Sequence, residues 1–182
     1  MLDRTAILGR LCHEESGLAV TPLVDADDQI GLSSIDLRLG PDFIVTRRAT
    51  GLAMFDPARI DDIAERIRDY QDYYRRPPGS SFYLHPGEFA LARTLEFITL
   101  PKWTSGQVNG RSSWGRTGLV IATAAHVEPT FQGTITLELA NLGTVPIVLY
   151  VGVRIAQLVL FDVAQPEAGP DCTPSTSEAT HG

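Results

Sequence analysis

The chain has 182 residues, 43% of them hydrophobic and 20% charged, with a formal net charge of −7. That is enough for a single domain with a full core, and the acidic balance argues against DNA or RNA as the main partner, because a nucleic-acid binder presents a basic face. Two isolated cysteines, Cys12 and Cys172, make no disulfide framework. No apolar stretch approaches the ~20 residues that span a bilayer, and Asp3 and Arg4 occur early, with no apolar run beside a cleavage site, so a cytoplasmic protein without a membrane segment is expected.

Taken in chain order, Asp3 is placed to cap a first helix in which Ile7, Leu8 and Leu11 share one face. Ile35, Leu37 and Leu39 alternate with Asp36 and Arg38, the pattern of a half-buried strand, stopped by Gly40-Pro41. A second helix is signalled by Asp56 as N-cap, Pro57 at the first helical position, and Ile60, Ile63, Ala64 and Ile67 at helical spacing. It runs into the polar, aromatic segment Asp69 to Arg76 and ends at Pro77-Pro78-Gly79. Beyond that the pattern is one of strands. Ser81 to Leu84 leads into the turn His85-Pro86-Gly87-Glu88, then Phe89, Leu91, Leu95 and Phe97 alternate with smaller or polar residues as far as Pro101. Val120 to Ala125, Gly133 to Ala140, Ile147 to Val151 and Arg154 to Phe161 follow, separated by turn signals such as Asn141-Leu142-Gly143. Short strands at this spacing predict an all-β barrel or sandwich with helices added. The stretch from Ala164 to Gly182 has no apolar pattern and is expected to be a flexible tail.

Two places concentrate chemistry. Gly110 to Arg116 packs two guanidinium groups and two hydroxyls into one turn. Arg111 and Arg116 offer forked donors suited to phosphate oxygens, with Ser112 and Ser113 as neutral donors. The residues alone leave two readings open: a phosphate clamp, or a polar loop whose arginines pair with surface carboxylates. In the strand around Thr134 to Ala140, Ile135, Leu137 and Leu139 share one face and Thr136 and Glu138 the other. Glu138 is then either a solvent-facing glutamate or, if that face lines a nucleotide pocket, a base able to activate water. His126 and Glu128 lie between two strands, with Pro129 bending the chain after them, and His126 reads as a loop residue. No zinc is expected, because the His-x-Glu and Pro-Cys-x-x-Cys pattern of zinc deaminases is missing.

Five segments in order, 33–40 (Ser-Ser-Ile-Asp-Leu-Arg-Leu-Gly), 85–92 (His-Pro-Gly-Glu-Phe-Ala-Leu-Ala), 110–119 (Gly-Arg-Ser-Ser-Trp-Gly-Arg-Thr-Gly-Leu), 131–141 (Phe-Gln-Gly-Thr-Ile-Thr-Leu-Glu-Leu-Ala-Asn) and 154–158 (Arg-Ile-Ala-Gln-Leu), resemble the dCTP deaminase family over residues 2–163. The resemblance implies a domain over 1–163 with the dUTPase-like fold, a distorted β-barrel or jelly roll with short helices, assembled as a homotrimer with active sites between subunits. It also implies hydrolytic, metal-independent deamination of dCTP to dUTP and ammonia, with Mg²⁺ carried on the nucleotide phosphates and no metal held by protein side chains. Carried across by position, Arg111, Ser112 and Ser113 match phosphate-binding residues, and Arg116 matches the arginine that positions base and water. Thr136, Leu137 and Glu138 match the strand that meets the nucleobase, with Glu138 as general acid/base. Gln157 matches a nucleotide-contacting glutamine, and Ser112 with main-chain carbonyls near Ala124 would hold the attacking water.

The chain departs from the family pattern in four places. Val127-Glu128 stands where the family has Ile-Asp, whose aspartate contacts the sugar 3′-hydroxyl, so the resemblance implies that the longer carboxylate shifts sugar recognition. The segment from Arg116 to Glu128 is one residue shorter. Ile121-Ala122-Thr123-Ala124 lacks a pocket histidine. After Phe161 nothing matches the family's closing strap of tyrosine, lysine and glutamine, Gln165 lying too early, so a looser phosphate grip is expected. Beside deamination stand two further expectations: a dUTP pyrophosphohydrolase or bifunctional enzyme using Glu128, and a non-catalytic nucleotide-binding homologue.

Overall fold

The computed structural model describes residues 1–46, 67–68, 70–123 and 125–164. The predicted second helix lies outside these residues, apart from Ile67 and Arg68, whose backbone is helical; so does the predicted tail beyond Ala164. The first helix, α1 (Arg4–Cys12), begins as its sequence requires: the Asp3 carboxylate accepts from the Ala6 N–H at 2.8 Å, and Ile7 is buried. It leads through a short 3-10 turn (Glu14–Ser16) to β1 (Ala19–Thr21), the single turn α2 (Ala26–Gln29) and the long strand β2 (Ile35–Thr46).

β2 does not stop at Gly40-Pro41. It changes partners there. Ile35 to Arg38 pair with β11 (Arg154–Asp162), while Asp42 to Thr46 pair with β3 (Gln71–Arg75) and Phe43 to Val45 with β5 (Phe89–Thr99). The register against β5 shifts between Leu39 and Phe43. A Cβ on Gly40 would fall 2.7 Å from the Arg93 carbonyl oxygen and 2.9 Å from that of Thr94, so only glycine lets the two backbones meet at this corner. Pro41, without an N–H, costs nothing where the ladder is interrupted. The segment read as the end of a helix, residues 69–76, is in fact largely β3; pairing with β2 overrides its local composition.

The remaining strands are β4 (Ser81–Leu84), β6 (Thr104–Gly110), β7 (Leu119–Ala122), β8 (His126–Val127), β9 (Gln132–Asn141) and β10 (Ile147–Tyr150), with a four-residue helix, α3 (Ser112–Gly115), between β6 and β7. The main sheet runs β7-β9-β5-β2-β11-β6-β8, with β1 on β5 and β3 on β2, and β10 pairs with β4 as a separate ribbon. The fold is thus mostly β, a curled sheet enclosing one core in which Phe43 stacks on Phe82 with centroids 4.3 Å apart. Asn141 ties the turn after β9: its amide donates to the carbonyls of Leu84 and Val145, and its side-chain oxygen accepts from Gly143 N. Among the described residues no helix is long and apolar enough to cross a membrane.

Two faces are the reverse of what side-chain size suggests. On β5 the buried positions are Ala90, Ala92, Thr94, Glu96 and Ile98, and the larger Phe89 and Phe97 are 41% and 48% exposed. On β2, Asp36 and Arg38 are buried along with Ile35, Leu37 and Leu39. The interior therefore contains a polar group. Gln29 donates to the Glu96 carboxylate and to the Asp36 carbonyl, both at 2.9 Å; the Arg38 N–H donates to the other Glu96 oxygen at 2.8 Å, and the Arg38 guanidinium donates to the Gln29 side-chain oxygen. Burial pushes the Glu96 carboxyl above its ordinary value, against the pull of these donors and of the Arg38 charge.

Candidate functional site

β9 carries the candidate base where alternation put it. Ile135, Leu137 and Leu139 are buried, and Thr136 and Glu138 are exposed on the opposite face. A one-residue slip of β9 would bury the glutamate and expose three core side chains, so the register that fills the core also holds the carboxylate outward. Glu138 and Thr136 line a cavity of about 330 Å³ with Thr123, His126, Glu128 and Phe131, within the size range of small-ligand sites. β7 pairs with β9 only as far as Ala122 opposite Glu138. Beyond that point the Thr123 hydroxyl donates to the Thr136 carbonyl at 3.0 Å. The Leu137 side chain, expected to meet the nucleobase, is fully buried, so what this residue can offer a ligand is its main chain.

His126 belongs to a strand, not to a loop: with Val127 it forms β8, paired to Gly106 and Gln107 of β6. Its Nε2 lies 3.5 Å from Glu128, and both side chains are exposed. Ala124, expected to help hold water, lies outside the described residues.

The turn at 110–116 folds as α3, with Arg111 at its N-cap position. The indole N–H of Trp114 donates to the Arg154 carbonyl at 2.9 Å, which fastens the helix to β11. Ser112, Ser113 and Arg116 are exposed, and Arg116 has no ion-pair partner among the described residues. Arg111 is paired, but with a buried carboxylate and not a surface one: its guanidinium donates to Asp36. Gln157, opposite Asp36 in the β11–β2 ladder, donates to the other oxygen of the same carboxylate at 3.0 Å. The Arg154 guanidinium lies 3.4 Å from Asp36 and 2.8 Å from Asp28.

Within one chain, then, the expected residues form separate groups. Glu128, Thr136 and Glu138 share a cavity, Arg111 and Gln157 converge on Asp36, and Ser112 and Ser113 on α3, with Arg116 at its C-cap, stand outside that cavity's lining. Asp36 is a functional candidate that the sequence motifs do not mark; the available signal is a pair of opposite charges, Asp36 and Arg38, inside an otherwise apolar strand. Among the described residues no three His, Cys, Asp or Glu side chains are grouped to hold a metal ion.

The curled, mostly β sheet is a fold found among solved nucleotide deaminase structures. A family model described as dCTP deaminase-like matches residues 2–163, and the chain belongs to that family. A dCTP deaminase of Halorubrum lacusprofundi is 42% identical over 171 residues, which cover 93% of this chain and 81% of that protein. A dCTP deaminase, dUMP-forming, of Methanobrevibacter smithii is 41% identical over 158 residues, covering 86% of this chain and 78% of that one. Among solved structures, the 2'-deoxycytidine 5'-triphosphate deaminase of Agrobacterium tumefaciens matches with a TM-score of 0.65 at 21% identity, a likeness of fold. That match covers 90% of this chain and 48% of the other, so this chain spans about half its length.

Proposed function

We propose that the protein is a hydrolytic deaminase of cytosine deoxyribonucleotides, converting dCTP, presented with Mg²⁺ on its phosphates, to dUTP and ammonia. The observation that carries this reading is Glu138, held outward on a strand whose neighbouring side chains are locked in the core, at the wall of a cavity of ligand size. In the proposed reaction Glu138 takes a proton from a water bound near Ser112 as the water oxygen bonds to cytosine C4. The C4=N3 π bond opens as the C4–O bond forms, and N3 takes that proton from Glu138; the carboxyl then carries the remaining hydroxyl proton to the exocyclic nitrogen as the C4–N bond breaks, leaving a C4 carbonyl and ammonia. Arg116 orients base and water, and Arg111, Ser112 and Ser113 hold phosphate. Fixed donors of this kind favour the charge that builds at the tetrahedral carbon without reorganising at the moment of reaction.

A homotrimer belongs to the proposal. The exposure of α3 and of the outward β9 face supports a site that one subunit begins and another completes, and a monomer by light scattering would overturn the mechanism in this form. The direct test is incubation with Mg²⁺ and dCTP, which should release ammonia and dUTP. Glu138→Gln should lower kcat by about 10²–10⁴-fold, the usual worth of a positioned general acid/base. Wild type and Glu138→Gln giving the same null result with dCTP, dCDP, dCMP and CTP would sink the reading.

A second product is supported by a separate observation: Glu128 lines the same cavity as Glu138, and the Methanobrevibacter smithii relative is dUMP-forming. In this bifunctional form Glu128 activates a second water for attack on the triphosphate, yielding dUMP and pyrophosphate. Glu128→Ala should then abolish pyrophosphate release while ammonia release from dCTP continues. Accumulation of dUTP by the wild type, with no pyrophosphate, would confine the enzyme to deamination.

A further inference from the structure

The geometry points to Asp36 as the positioning residue that sets two nucleotide-binding side chains, Arg111 and Gln157, in their working orientation. This inference rests on the proposal that those two side chains meet the nucleotide. Asp36 is 7% exposed, and its carboxylate is the meeting point of three side chains from two other parts of the chain: Arg111 at the start of α3, and Arg154 and Gln157 on β11. Its backbone is held from behind by Gln29, which donates to its carbonyl and to the buried Glu96. The backbone that carries the carboxylate is therefore tied to the buried polar group beneath it.

What this does to each partner follows from donor and acceptor chemistry. A guanidinium has five N–H donors, and Asp36 engages one edge of Arg111, leaving the others for phosphate oxygens. For Gln157 the effect is sharper. A carboxylate oxygen is an acceptor, and the amide turns its nitrogen inward to it. Its carbonyl oxygen and one N–H are left for a ligand. Asp36 thus decides that Gln157 presents an acceptor. Arg154 keeps a second partner, Asp28, at 2.8 Å, so its own placement does not depend on Asp36 alone.

Positioning and bulk charge predict opposite signs. Removing a negative charge beside an anion site should tighten nucleotide binding if Asp36 acts only through its field. If it acts by ordering two long side chains, its loss returns their freedom to the unbound state and weakens binding. The experiment compares wild type with Asp36→Asn and with Asp36→Glu, which keeps the charge but moves it by one methylene. Steady-state kinetics with Mg²⁺ and dCTP, and calorimetric titration of dCTP onto Glu138→Gln carrying each change, give the readouts, with thermal melts confirming folding.

We expect KM to rise about ten- to a hundred-fold in both variants, with kcat within about threefold of wild type, two ordered side chains being at stake. In a double-mutant cycle, Asp36→Asn should add little to Arg111→Ala combined with Gln157→Ala, because it acts through them. A KM that falls or stays at the wild-type value in either folded variant overturns the inference. So does a loss confined to kcat, or full additivity with the double alanine variant. If Arg111→Ala and Gln157→Ala themselves leave KM unchanged, the nucleotide reading of those two residues fails first, and the inference falls with it. Should Asp36→Asn fail to fold, Asp36→Glu decides alone.

Discussion

Glu138 stands on the outward face of β9 with no ion-pair partner among the described residues, whereas Asp36 and Glu96 lie inside the sheet with both oxygens of each carboxylate engaged by donors. All three are carboxylates on long strands with apolar neighbours, yet they are suited to opposite tasks. A general acid/base has to exchange its proton with a substrate, which requires an open oxygen and room for water. A group that orients others has to stay where it is, which requires that each oxygen be engaged. The number of donors a carboxylate already accepts thus separates the residue proposed to do the chemistry from those proposed to hold the scaffold and the ligand-binding side chains.

The largest expected effect tests the open side of this contrast. Glu138→Gln should lose about 10²–10⁴-fold in kcat while its urea unfolding curve stays within about 0.5 kcal/mol of wild type, as for a surface substitution. A matching loss of stability would make Glu138 one more structural carboxylate and erase the distinction. Next in size is the closed side. Glu96→Ala leaves Arg38, whose side chain is 11% exposed with Glu96 3.6 Å away, without its counter-charge, and strips acceptors from the Arg38 N–H and Gln29. Breaking a buried pair in this way costs about 3–5 kcal/mol, measurable by urea denaturation. A loss below about 1 kcal/mol would put Glu96 in the class of exposed pairs.

The smallest effect is a pH dependence, and its sign is defined. Burial holds the Glu96 carboxyl above its ordinary value of 4.5 in the folded protein. Its contribution to stability is therefore complete below the unfolded value and declines as pH rises through the raised one. Compared with Glu96→Gln, the wild type should be relatively more stable at about pH 4 than at about pH 7, by about 1.4 kcal/mol for each unit the carboxyl is raised. A difference independent of pH across that window would mean Glu96 titrates alike in folded and unfolded chains.

These contrasts also explain how much of the molecule was legible beforehand. β9 was, because Ile135, Leu137 and Leu139 lie on one parity, Thr136 and Glu138 on the other, and the core takes the apolar set. The cap of α1 was, because Asp3 satisfies a helix N–H locally. β5 was legible as a strand but not in orientation: its inward set is Ala90, Ala92, Thr94, Glu96 and Ile98, and the presence of Gln29 and Arg38 to pair with Glu96 is decided by other elements. β6 was missed, since Thr104 to Gly110 shows no alternation and owes its place to pairing with β11 and β8. Gly40-Pro41 looked like a stop, and became a corner because β5 approaches the glycine backbone closely.

For the site, the short-range pattern determined which side chains share a face: Thr136 with Glu138, and Asp36 with Arg38. Periodicity sets that much, because a strand projects successive side chains to opposite sides whatever surrounds it. Which of the two faces is closed off from water depends on which strands and helices pack over it, and those are distant in sequence. The tertiary structure alone therefore decided that Asp36 is buried along with the apolar residues of its strand, and that Arg111 and Gln157, 46 positions apart, meet on one carboxylate.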